Sequence, residues 1–207
     1  MHPTAAEWSF ATAKTLFGIA VLFGITRIIP AGYPLLVGWV GLTGLVFAIH
    51  FGAIHLLSCG WRRAGIDARP LMHWPAAATS QSDFWGRRWN TAFRDLCYRF
   101  VFRPVGARFG LRWGTLVGFT VSGLIHDLVI SVPAGGSYGM PTLYFVAQGG
   151  ALLLERSWLG RAFGIGRGVC GWLFTAITLV APAYLLFHPP FIEQVVLPML
   201  QAWRAIP

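Results

Sequence analysis

One histidine stands where an ionisable side chain is costly. In the run Trp113-Gly-Thr-Leu-Val-Gly-Phe-Thr-Val-Ser-Gly-Leu-Ile-His126 no other ionisable residue intervenes. A helix through this run carries His126 about 20 Å beyond Trp113, at about 1.5 Å per residue. At that depth in a bilayer, an ionisable group faces a cavity or a bundle interior and marks function by default. The uncharged imidazole is favoured there, and that is the form a general base requires. Ser122 and Gly123, one turn earlier, are small and leave room for a ligand on the same face. Two other readings stay open: a hydrogen-bonded structural histidine, and Ser122 as a nucleophile activated by His126. Small hydroxyl residues are, however, common packing contacts between membrane helices. Asp127 adjoins His126 but points about 100° away around a helix, so its partner belongs on another helix.

The other candidate ligands and nucleophiles are less telling. His50 and His55 lie five residues apart and subtend about 140° on a helix, too far to clasp one metal as an i,i+4 pair would. They read as structural or interfacial. No HxxxH or HxxHH cluster occurs, which disfavours a di-iron centre. Haem ligation is not excluded by spacing but has no other motif in its favour. Cys59, Cys97 and Cys170 are odd in number and lack CxxC spacing, so they read as reduced packing residues. No metal and no bound cofactor are expected.

The elements that must position His126 follow from composition. The chain is 56% hydrophobic and only 11% charged, with a mean hydropathy of +0.61, whereas soluble domains carry about 25% charged residues. No charge lies between Arg27 and Arg62 or between Arg167 and Glu193, and Asp127 is the only one between Arg112 and Glu155. Gaps of roughly 20 apolar residues span a bilayer. The expected fold is all-α: a multi-span transmembrane bundle of about five spans, at 9–29, 33–57, 110–132, 141–158 and 168–187. The tail forms an interfacial helix carrying Phe191, Val195, Val196, Leu200 and Trp203. Gly38, Gly41 and Gly44, and the Gly114-xxx-Gly118 pair, permit close helix approach. Without repeats or low-complexity stretches, residues 1–207 read as one membrane domain.

The net charge of +9 is almost wholly arginine, with Lys14 the single lysine. Nucleic-acid binding is the soluble reading of such a charge, but its placement argues against that. Ten arginines from Arg62 to Arg112 fall in one polar segment between hydrophobic runs, the pattern of a cytosol-facing loop. Arg156, Arg161 and Arg167, two crossings later, fall on the same side. Lys14 and Arg27 sit near the ends of the first span and can snorkel to the interface. Within the polar segment, Ser82 is a plausible N-cap, followed by Trp85, Trp89, Phe93, Cys97, Phe100 and Val101 at helical spacing. Such a basic amphipathic helix lies in the bilayer surface among membrane lipids, or holds an anionic substrate at a cavity mouth. The preference for arginine over lysine hints at a bacterial inner membrane.

Asn90, the one asparagine of the chain, closes Phe84-Trp85-Gly86-Arg87-Arg88-Trp89-Asn90. Together with Ser122-Gly123-Leu124-Ile125-His126-Asp127 downstream, in this order and at this spacing, the stretch resembles the wax synthase branch of the membrane-bound O-acyltransferase family. The resemblance runs from about Arg69 to the C-terminus, including Pro141-Thr-Leu-Tyr-Phe and Gln148-Gly149. It implies transfer of an acyl group from acyl-CoA, as co-substrate, to the hydroxyl of a lipid-like alcohol. By position it makes His126 the general base and places Asn90 at the acyl site. Trp85, Arg87, Arg88, Trp89 and Ser122 are the expected substrate-binding residues, the arginines serving the CoA phosphates. The family usually has more spans before the Phe-Trp-Gly stretch than the two here. A non-catalytic or degenerate relative, acting as a transport or scaffold subunit, is therefore the other reading.

Overall fold

A computed structural model describes residues 2–30 and 32–206, and among these no strand occurs. Eight helices carry the account: α1 (Ala5–Ile28), α2 (Pro34–Arg63), α3 (81–88), α4 (91–109), α5 (Leu111–Ala134), α6 (Met140–Arg156), α7 (Gly168–Leu186) and α8 (192–202). Of these, α1, α2, α5 and α7 are long and apolar enough to cross a membrane. The protein is a multi-span all-α membrane bundle. The fifth expected span is α6, at 17 residues shorter than these four. The chain forms two compact units, residues 1–72 with 192–207 and residues 73–191.

In the first unit α1 and α2 run antiparallel at glycine contacts. A Cβ on Gly44 would fall 2.9 Å from the Leu22 nitrogen, and one on Gly18 would collide with the Ala48 backbone. Gly38 and Gly41 of α2 instead receive Ile192 and Leu200 of α8. Ile192, Val196 and Leu200 are fully buried, so the tail is a packed helix rather than one lying free on a surface. Lys14 donates to His55 Nδ1 (2.8 Å), His55 Nε2 donates to Glu7 Oε1 (3.0 Å), and Arg62 holds both Glu7 oxygens. Lys14 thus takes a partner inside the helix pair instead of snorkelling. Cys59 completes the cluster with Glu7 and His55, their ligand atoms lying within 4.8 Å of one another. Both Glu7 oxygens and both His55 nitrogens are engaged in the charge network.

The second unit holds the expected site. Gly110, at φ 93°, turns the chain so that α4 folds back along α5. A Cβ on Gly114 would lie 2.9 Å from the Phe102 carbonyl oxygen, and at the far end Phe93 meets His126. The amphipathic segment therefore runs beside α5 and supplies a wall. Its helix is also not continuous. Ser80, not Ser82, is the N-cap of α3, accepting from Asp83 N at 2.9 Å. The helix then breaks at Trp89, which is extended, and Asn90, at φ 38°. Asparagine tolerates that left-handed conformation better than most side chains.

Helix α6 lies antiparallel on α5: a Cβ on Gly123 would fall 2.5 Å from Thr142 Cα, and one on Gly149 would touch Phe119. Asp127 finds the partner on another helix that its direction required. It accepts from the backbone N–H groups of Gly139 (2.8 Å) and Thr142 (3.1 Å) and from the Thr142 hydroxyl, capping the start of α6. The interior of this unit is polar. Gln81 donates to Thr178 Oγ1, Gln148 donates to Thr178 O (2.7 Å), and the Glu155 carboxylate accepts the N–H groups of Gln81 and Ser82. The outward faces of the spans are apolar, as at Leu128, Val129, Ile177 and Val180, the arrangement a hydrocarbon solvent imposes.

Candidate active site

A cavity of about 620 Å³ opens within the second unit, inside the size range of small-molecule sites. Helix α5 contributes Thr115, Gly118, Phe119, Ser122 and His126, a stripe at spacings of three and four residues that turns one helical face inward. The break at Trp89-Asn90 brings Trp85, Trp89 and Asn90 to the same cavity, and Arg156 of α6 lines it as well. Trp85 is held by donating Nε1–H to Gln81 Oε1 (2.9 Å), by an edge contact with Phe119 and by a tilted contact with Phe145.

His126 has a defined tautomer. Nδ1–H donates to the Ser122 carbonyl at 2.7 Å, so Nε2 is left as the basic nitrogen. Among the described residues Nε2 has no hydrogen-bond partner. The ring lies against Phe145 (centroids 4.3 Å) and edge-on to Phe93 (6.3 Å), aromatic faces that fix its plane. Ser122 holds the imidazole through its backbone carbonyl, with its side chain at the cavity wall. The geometry contains no Ser122–His126 side-chain hydrogen bond of the kind an activated nucleophile needs. Asn90 accepts the Phe93 N–H on Oδ1 (3.3 Å), as N-cap of α4. That bond orients its amide.

Two expected residues stand elsewhere: Arg87 and Arg88 are not among those lining the cavity. Arg87 is 77% exposed and pairs with Asp83 at 3.0 Å. Arg88 bonds Asp83 and the carbonyls of His73 and Trp74, a brace for the loop before α3. The lining arginines are Arg94 and Arg156, which sequence reading counted only as part of the basic field. Arg94 is tied to Asp95 and to the Gly86 carbonyl. Arg156 gives Nε–H to Ser82 Oγ (3.2 Å) and keeps both Nη groups without a partner among the described residues. Cys97 also lines the cavity, where burial pushes its thiol up, away from the thiolate a nucleophile needs.

A second set of buried groups does not join this site. Ser131 donates to Asp127 Oδ1 (2.9 Å) and faces His188 Nε2 (3.1 Å), while His188 Nδ1 accepts the Phe191 N–H (3.2 Å). With Nδ1 an acceptor, Nε2–H donates to Ser131. The proton direction runs His188 to Ser131 to Asp127, opposite to that of a serine nucleophile, and the chain is structural.

Residues 68–147 match the model of the membrane bound O-acyl transferase family. The long-chain-alcohol O-fatty-acyltransferase of Simmondsia chinensis is 31% identical over 142 residues, covering 62% of this chain and 40% of that protein. The probable long-chain-alcohol O-fatty-acyltransferases 7 and 9 of Arabidopsis thaliana are 30% and 32% identical, each over 62% of this chain and 42% of their own length. The chain thus spans about two fifths of the curated relatives it matches. No solved structure matches it. The matched stretch contains both Asn90 and His126, the two residues that the break after α3 and the inward face of α5 bring to one cavity, and over it the chain is similar to the membrane bound O-acyl transferase family and to these long-chain-alcohol O-fatty-acyltransferases.

Proposed function

We propose that the protein transfers an acyl group from acyl-CoA to the hydroxyl of a long-chain, lipid-like alcohol, forming an ester and free CoA. The observation that carries this reading is His126: Nδ1 tied to a backbone carbonyl, Nε2 unpartnered among the described residues, and Asn90 on the same cavity. His126 Nε2 takes the alcohol proton as the oxygen attacks the thioester carbonyl carbon. The Asn90 NH₂ donates to the oxygen that gains negative charge. When the carbon–sulfur bond breaks, the proton on His126 passes to the departing thiolate. Trp85, Trp89, Phe93 and Phe145 keep water from the acyl group, which limits hydrolysis. Arg156, rather than Arg87 or Arg88, is the cation placed to meet the phosphates of the donor, because it lines the cavity with donors to give.

In this reading the arginine-rich stretch from Arg62 to Arg112 faces the cytosol, where acyl-CoA is made, and the alcohol arrives sideways from the bilayer. The arginine-over-lysine bias agrees with a bacterial inner membrane. Purified protein in nanodiscs, given a labelled acyl-CoA and a panel of long-chain alcohols, should release CoA and form ester. Removing the base in His126→Ala should lower turnover by about 10²- to 10⁴-fold. Turnover equal to that of the unaltered protein would sink the mechanism.

A further inference from the structure

Gly114 and Gly118 form a small-residue pair of the kind that packs helices, but the structure separates their roles. Gly114 meets α4. A Cβ on Gly118 would meet nothing within 4 Å, and Gly118 lines the cavity. Its backbone is ordinary right-handed helix with no positive φ, so neither close approach nor conformation requires glycine there. Glycine within a helix interior is less favourable than alanine. What its absent side chain supplies is space. Gly118 sits two turns before His126, about 12 Å along the axis. Cys97, Tyr98, Phe102 and Phe119 line the same cavity, Tyr98 and Phe102 as stacked rings 5.4 Å apart. A lane with these walls suits an alkyl chain better than a charged or strongly hydrated group.

We propose that Gly118 sets the length of alkyl chain the cavity accepts, its missing side chain holding open the lane that leads to His126. The ligand class is a long unbranched alkyl chain, brought by either the acyl donor or the alcohol. The catalytic context rests on the acyl-transfer reading above; the chain-holding role does not.

The test compares Gly118→Leu with Gly150→Leu, full-length and in nanodiscs. Gly150 lies on α6, is absent from the cavity lining and also meets nothing within 4 Å. One arm varies acyl-CoA length against a fixed alcohol; the other varies alcohol length against a fixed acyl-CoA. Gly118→Leu should move the optimum to shorter chains in one arm, with kcat/KM falling about fourfold for each methylene expelled, and that arm identifies which substrate fills the lane. Gly150→Leu should keep the original profile. Unchanged length profiles in both arms for Gly118→Leu overturn the proposal. A fatty alcohol and a non-reactive thioether analogue of a fatty acyl-CoA, each with a diazirine at its chain end, give a readout free of turnover: one of the two should label peptides containing Tyr98 or Phe119 in the unaltered protein and not in Gly118→Leu. If no ester forms but this labelling difference holds, acyl transfer fails and the role of Gly118 stands. Equal labelling of both proteins by each probe overturns it. Gly118→Ala, with a smaller shift in the same direction, serves should the leucine variant not fold.

Discussion

Asn90 has two tasks, capping α4 and offering an amide to the cavity, and substitution can separate them. Alanine removes the cap and disfavours φ 38°, so Asn90→Ala should lose about 1–2 kcal/mol of stability. Glycine accepts the left-handed conformation and costs only a few tenths as an N-cap. Asn90→Gly should therefore melt near the unaltered protein yet lose turnover, if its amide steadies the reacting carbonyl. Thermal unfolding and CoA release on both variants check the pair; full activity in Asn90→Gly would leave Asn90 a purely structural cap. His126 was legible in the sequence because burying an imidazole is expensive wherever the helix goes. Asn90 was legible only through its motif, since nothing in Arg-Arg-Trp-Asn announces a left-handed residue. The roles of Arg88 and Arg156 were not legible at all. Which guanidinium lines a cavity depends on where the chain folds back, and in sequence the arginines of this field look alike.

Among the elements, the contact between α5 and α6 is the tightest that positions His126. Gly123→Ala, driving a Cβ against Thr142 Cα, should cost about 1–3 kcal/mol and reduce activity by shifting His126, while Gly118→Ala should leave stability unchanged or slightly raised. Differential scanning of the two alanine variants tests the contrast. Asp127 joins the same two helices, and Asp127→Ala should lower stability by about 2 kcal/mol as four donors lose their acceptor. Beside it, His188 is fully buried, and burial holds it below the ordinary histidine value, with Asp127 opposing. Its folded form thus resists protonation. The stability it contributes is present above about pH 6.5, the unfolded value, and is lost as pH falls below it. Unfolding measured from about pH 8 to about pH 5 should show a steeper acid loss than the His188→Gln variant does. Periodicity made the spans readable, because apolar runs of bilayer length leave little choice. The amphipathic stretch after Ser82 was readable as helix but not as two helices or as a wall beside α5. Those outcomes depend on Asn90 and on the Gly110 turn, and on Gly114 having α4 to meet.

Across the molecule the usual sorting of side chains is inverted. Leu16, Phe17, Leu128, Val129 and Val180 are exposed, while Thr115, Ser131, Gln81, Gln148, Thr175 and His188 are buried. Composition foretold the exposed half of this pattern, since so many apolar residues exceed what a core of this size can enclose. It did not foretell which polar residues would meet, because Gln81, Gln148 and Thr178 are distant in sequence. Gln148→Leu, which also removes a buried carbonyl oxygen that lacks a partner among the described residues, should change stability by less than about 1 kcal/mol, whereas Gln81→Leu, which strands Trp85 Nε1 and Thr178, should cost about 1–3 kcal/mol. Thermal melts of the two variants in one lipid check the order. The hydrogen bonds around Gln81 and Thr178 also bear on handling. They hold firmly only while water is kept from competing for the same donors and acceptors, so a thick hydrocarbon belt protects them and a thin, wet micelle does not. An extract in a short-chain detergent could keep its helices by circular dichroism yet lose the alignment of Trp85 with the cavity. An inactive preparation would then report on its solubilising agent before it reported on the protein.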